Sequence, residues 1–72
     1  MKLHYYSDTD SLYIDLSERK SVDSKEIADG VVVDFDENGA IVGIDIDRAS
    51  KIVNLQKLES DSIPMKSLAI AS

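Results

Sequence analysis

Asn38-Gly39 lies between two apolar-alternating runs, Val31 to Glu37 and Ala40 to Ile46, and no other feature constrains this chain as much. Asn-Gly is the strongest short signal for a β-hairpin, because a type I′ turn needs positive φ at both central residues. Such a turn pairs Phe35 with Val42, Val33 with Ile44 and Val31 with Ile46. Side chains on a strand alternate faces, so these apolar residues share one face. A longer loop over residues 36–39 shifts the pairing by two and leaves the faces unchanged.

The chain has 72 residues, enough for one domain spanning 1–72. A domain of this size buries only about 60% of the surface its unfolded chain exposes, so its own core is marginal. Small domains offset this with disulfides, a structural metal or a partner subunit. There is no Cys and only one His, His4, which excludes disulfides and argues against structural zinc. Association remains the main route to extra stability. The formal charge of -6 argues against binding a nucleic-acid backbone and is compatible with a basic protein partner. Met1 to Asp8 lacks the apolar core of a signal peptide, and no apolar run is long enough to span a membrane. A cytoplasmic protein is expected.

Upstream of the Asn-Gly hairpin, Leu3 and Tyr5, then Leu12, Ile14 and Leu16, alternate with polar or aromatic residues. Joined by a loop over 7–10, they predict a first hairpin with Tyr5 opposite Leu12, Leu3 opposite Ile14, His4 opposite Tyr13 and Lys2 opposite Asp15. Residues 17–25 read as a mobile polar loop or a short irregular edge, Glu26-Ile27-Ala28 as the start of the next strand, and Asp29-Gly30 as a bulge or kink. After the second hairpin, Asp47 or Asp45 can cap a helix. Its stripe is Ala49, Ile52, Val53 and Gln56, widened by Leu55 and Leu58. Residues 60–72 form a C-terminal extension, in which Ile63 to Ile70 could be an edge strand or a tail that orders on contact. The fold class expected is α+β: a small antiparallel β-meander of about four strands, with a C-terminal helix packed on one face.

Three segments carry a family resemblance: Tyr5 to Ile14 with its Asp10-Ser-Leu-Tyr-Ile run, Glu26 to Asp34, and Gly39 to Ser50 with Val42-Gly43-Ile44 and Ala49-Ser50. They resemble the short bacterial and archaeal proteins grouped as domain of unknown function 2283, over about residues 3–55. Tyr6 departs from the pattern, standing where Asp is usual. The resemblance implies a compact antiparallel α+β fold and no established activity. Members are often encoded beside another short protein, which implies a toxin–antitoxin-like pair.

Two constellations are candidates for function. His4, Tyr6, Tyr13, Val32 and Ile41 point away from the apolar face, and Asp15, Asp34, Asp36 and Asp45 join them. Aromatic anchors rimmed by carboxylates suit a protein interface, with Tyr6, Tyr13, Val32 and Ile41 as its residues. Alternatively, Asp34, Asp36 and Asp45 could hold a divalent cation, since hard cations take oxygen ligands. Against that, carboxylates on adjacent strands splay rather than converge, and Asp8 and Asp10 read as turn residues. His4 beside Tyr13 could act as an acid–base pair, although a lone strand His is more often a packing residue. Gly43 reads as relief for a large neighbour. Nothing resembles a nucleophile elbow or a phosphate loop, so no cofactor is expected and an enzyme is the lesser reading. The chain reads as a protein-interaction module, either a homo-oligomer or the acidic partner of a small basic protein.

Overall fold

The computed structural model describes residues 1–70. It contains a five-stranded antiparallel sheet: β1 (Lys2–Tyr6), β2 (Ser11–Asp15), β3 (Asp23–Ala28), β4 (Val31–Phe35) and β5 (Ile41–Ile46), followed by a short helix, α1 (Ala49–Ile52). The α+β class matches the sequence, with five strands rather than four. The spatial order is β1-β2-β5-β4-β3, so β3 to β5 form a meander and the β1–β2 hairpin adds to its β5 side. The additional strand is β3, which joins Glu26-Ile27-Ala28, read as the start of a strand, to the end of the polar stretch before it. Its residues Asp23 to Lys25 are polar because β3 is an edge, and charged edges discourage pairing with other chains.

The first hairpin has the predicted register, Lys2↔Asp15 through Tyr5↔Leu12. The second agrees over Val31↔Ile46 and Val33↔Ile44, but Phe35 pairs with Ile41 rather than Val42 across a bulge. The cause is the turn. Asn38 does not take positive φ; Gly39 alone does, at 81°. The Gly39 amide donates to the Asp36 carbonyl at 3.0 Å, and the Asp36 amide to the Ala40 carbonyl at 2.8 Å. This is the three-residue loop with a left-handed glycine, not the two-residue type I′ turn. Asp29-Gly30 is likewise the β3–β4 turn, and the irregularity falls between Glu26 and Ala28. Residues 16–22 pass the far end of the β4–β5 hairpin. Leu16 donates its amide to Val42, Arg19 meets Asp36, and Val22 donates its amide to Phe35.

The helix departs most from expectation. It has four residues, and only Ala49 on it is buried. Arg48 occupies the cap position in a left-handed conformation with no side-chain capping bond, and Val53 is already extended. So neither Asp45 nor Asp47 caps it. Ile52-Val53 is β-branched and Asn54 is a poor helix former, so propagation past Ile52 is weak. Consequently the apolar stripe from Ile52 to Leu58 does not roof the sheet: Ile52, Leu55 and Leu58 are exposed. Ile63 to Ile70 forms no strand. The buried apolar core is Leu12, Val33, Val42 and Ala49, while Leu3, Tyr5 and Leu16 on the same sheet face are exposed.

Candidate functional site

The pleat sends Ser11, Tyr13 and Asp15 of β2, Gly43 and Asp45 of β5, and Val32 and Asp34 of β4 to the polar face. Tyr13 pairs with Asp45, Asp45 with Val32, and Asp34 with Gly43. Gly43 is what lets this face pack. A Cβ there would overlap the Tyr13 hydroxyl and ring carbon, so the large neighbour is Tyr13. The Tyr13 ring crosses the bare backbone and donates its hydroxyl to Asp34 Oδ2 at 2.9 Å. Ser24 on β3 donates to Asp34 Oδ1 at 2.6 Å. Both oxygens of Asp34 are therefore occupied. Burial, then the Asp34 bond and charge, push the Tyr13 hydroxyl up to about 12.

Asp45 has no such support. Its Oδ1 is shielded from solvent and has no hydrogen-bond partner. Burial, together with the charges of Asp47 and Asp34, raises its pKa above the ordinary carboxylate value. Asp45 also lines a shallow open cleft of about 460 Å³ with Tyr6, Thr9, Ser11 and Tyr13. Tyr6 is 52% exposed, and its ring lies 6.5 Å from that of His4, nearly parallel. The Tyr13 hydroxyl points to Asp34, so His4 and Tyr13 form no acid–base pair through it.

Of the four residues singled out for an interface, Tyr6 and Tyr13 share this cleft and Val32 neighbours Asp45 in register. The bulge carries Ile41 into pairing with Phe35, away from that row. The three carboxylates considered for a cation are used separately. Asp34 binds two hydroxyls and Asp45 is apart. Asp36 is buried, closing its own turn by accepting the Asn38 and Ala40 amides at 2.9 Å each and pairing with Arg19 Nε at 2.8 Å. These partners, the Ala40 amide foremost, lower the Asp36 pKa. Among the described residues no group of three or more His, Asp or Glu is placed to hold a metal.

A second cluster escaped the sequence. Asp10, at φ 52° in the β1–β2 turn, accepts the Tyr5 hydroxyl at 2.7 Å on Oδ1, the Ser50 amide at 3.1 Å on Oδ1 and the Ser50 hydroxyl at 2.7 Å on Oδ2. Its carbonyl also accepts the Ala49 amide at 2.8 Å. The helix start is thus capped from 40 residues away. The Ser50 hydroxyl, then Tyr5, lower the Asp10 pKa. No local pattern announces this, since it depends on β2 pairing with β5. Beside it lies a cleft of about 500 Å³ lined by Tyr5, Ser50, Val53, Asn54, Leu55 and Gln56. Ser24 and Ser50 each donate to a carboxylate with no imidazole between, an arrangement that orients hydroxyls without activating them.

Among the described residues no helix is long and apolar enough to cross a membrane. The family model described as "Protein of unknown function (DUF2283)" matches residues 2–50. An uncharacterized protein of Methanocaldococcus jannaschii is 37% identical over 59 residues, covering 82% of this chain and 50% of that protein. The chain therefore spans about half the length of the curated relative it matches. No solved structure matches it. The matched segment runs from β1 to the capped start of α1 and so covers the whole sheet, and the chain belongs to the DUF2283 family of proteins of unknown function.

Proposed function

We propose that this protein is an interaction module that pairs with a second copy of itself through the apolar face of its sheet. One observation carries the reading: Leu3, Tyr5 and Leu16 are exposed on an apolar sheet face that the short helix α1 does not cover. The accessible area of 6004 Å² and the radius of gyration of 13.1 Å exceed the about 4,400 Å² and about 11 Å of a compact chain of this size, and residues 53–70, outside any strand or helix, contribute to both. A two-fold pairing would set the unroofed face against its own copy.

Sedimentation equilibrium of wild type and of Leu3→Lys with Leu16→Lys tests this. A dimeric wild type and a monomeric double variant support it. A wild type that stays monomeric at all concentrations sinks it.

A second reading, the acidic half of a toxin–antitoxin-like pair, is favoured by the opposite face. There Asp15, Asp34, Asp45 and, by register, Glu26 outnumber Lys2, the one basic residue among those strand positions.

A further inference from the structure

We propose that Asn38 is a site of spontaneous deamidation whose rate is set by Asp36, which must release the β4–β5 loop before the reaction can occur. The inference is independent of self-association and needs no second molecule but water.

The chemistry belongs to the Asn38-Gly39 pair. The Gly39 backbone nitrogen, on losing its proton to solvent, attacks Asn38 Cγ. A C–N bond forms, the Cγ–Nδ2 bond breaks, and ammonia leaves with a proton taken back from solvent. A five-membered imide remains, and water opens it at either carbonyl to give aspartate or isoaspartate at position 38. Asparagine is among the thermolabile side chains, and glycine after it leaves the attacking nitrogen uncrowded. Nothing lies within 4 Å of the place a Cβ would occupy on Gly39. Both residues are exposed. Asn38 enters the loop's hydrogen bonds through its backbone amide, and among the described residues its carboxamide has no partner. Asn54 is the internal contrast. Its side chain accepts the Gln56 amide at 3.1 Å, and Leu55 follows it, whose bulk hinders the approach.

The folded loop opposes ring closure. For the Gly39 nitrogen to reach Cγ, the peptide unit between Asn38 and Gly39 must turn. The N–H of that unit is committed to the Asp36 carbonyl at 3.0 Å. The amides on either side, of Asn38 and Ala40, both donate to Asp36 Oδ1 at 2.9 Å. Arg19 Nε holds the other carboxylate oxygen at 2.8 Å. Hydrogen bonds to a charged acceptor are the stronger kind, so Asp36 makes loop opening the rare event that precedes reaction. Isoaspartate would then add one carbon to the backbone of a loop whose length fixes the bulge and the place of Ile41. The product therefore loosens the clasp that delayed it.

The full chain, held at neutral pH both folded and unfolded in urea, is followed by peptide mass spectrometry. The mass gain of amide-to-acid replacement at Asn38, with isoaspartate resolved by chromatography, is expected slowly in folded wild type and much faster in urea. Folded Asp36→Ala should react at Asn38 about tenfold faster than folded wild type, the scale of lost hydrogen bonds to a charged acceptor. Asp10→Asn, which weakens the cap beyond the opposite end of β5, should leave the Asn38 rate near that of wild type. Should Asp36→Ala fail to fold, Arg19→Ala loosens the same carboxylate and is expected to raise the rate by less. No product at Asn38 in urea overturns the site. A folded rate equal to the unfolded one, or one that responds to Asp10→Asn as much as to the Asp36 or Arg19 variant, overturns the role of Asp36.

Discussion

At the scale of single residues, a few side chains fix the geometry of the polar face and its response to pH. Gly43 must stay bare for Tyr13 to reach Asp34, so Gly43→Ala should destabilise by about 1–3 kcal/mol, the usual cost of overpacking. In a Tyr13→Ala background the same change should cost almost nothing, and urea unfolding of the four proteins reads the coupling directly. Asp10 and Asp45 carry opposite signs. The folded pKa of Asp10 lies below its unfolded value, so its stabilisation is present above the ordinary carboxylate pKa and is lost as pH falls through the depressed value. Asp10→Asn should lower the melting temperature at neutral pH and flatten the acid limb. The pKa of Asp45 is raised, so its contribution is full below the unfolded pKa and lost as pH rises through the folded one. Asp45→Asn should therefore raise the melting temperature at neutral pH and confer no gain in acid. Melting curves across that range test both, and equal effects at every pH would contradict the assignment. The Tyr13 hydroxyl, pushed up to about 12, should ionise well above the ordinary tyrosine value in an alkaline titration.

Among elements, the two hairpins behave differently although both were legible. The β1–β2 register follows from alternation alone, because Leu3, Tyr5, Leu12 and Ile14 can share a face in one way. The β4–β5 register depends on the turn, and the turn on Asp36. By accepting the Asn38 and Ala40 amides, its carboxylate stabilises a three-residue loop, and the extra residue is absorbed as a bulge that turns Ile41 away from the polar row. Open space surrounds Gly39, so Gly39→Ala meets only backbone strain. It should cost about 1 kcal/mol by chemical denaturation, with Gly39→Asn costing less. The helix shows the limit of periodicity. Ala49, Ile52, Val53 and Gln56 are spaced for a helix, yet spacing cannot compensate a missing local cap and a β-branched pair.

For the whole molecule, an unroofed apolar face ties stability to concentration. If a second copy covers Leu3, Tyr5 and Leu16, mass action should raise the melting temperature as protein concentration rises. Scanning calorimetry over a hundredfold concentration range should show that rise in wild type and none in the Leu3→Lys, Leu16→Lys variant. If lost packing were the only effect, the variant would melt lower and neither protein would depend on concentration.

By itself the sequence determined the strand faces apart from that of Ile41, the first hairpin, the role of Gly43 and the family, because period-two alternation and short-range turn chemistry act within a few residues. Tertiary structure alone decided that β2 pairs with β5. It also decided that Asp10 rather than Asp45 or Asp47 caps α1, and that Asp36 serves its own turn instead of joining Asp34 and Asp45. Each of these depends on which distant strands become neighbours. A local pattern cannot encode that choice, because the apolar faces of β2, β4 and β5 offer several pairings, and the chain settles among them by the surface the complete sheet buries.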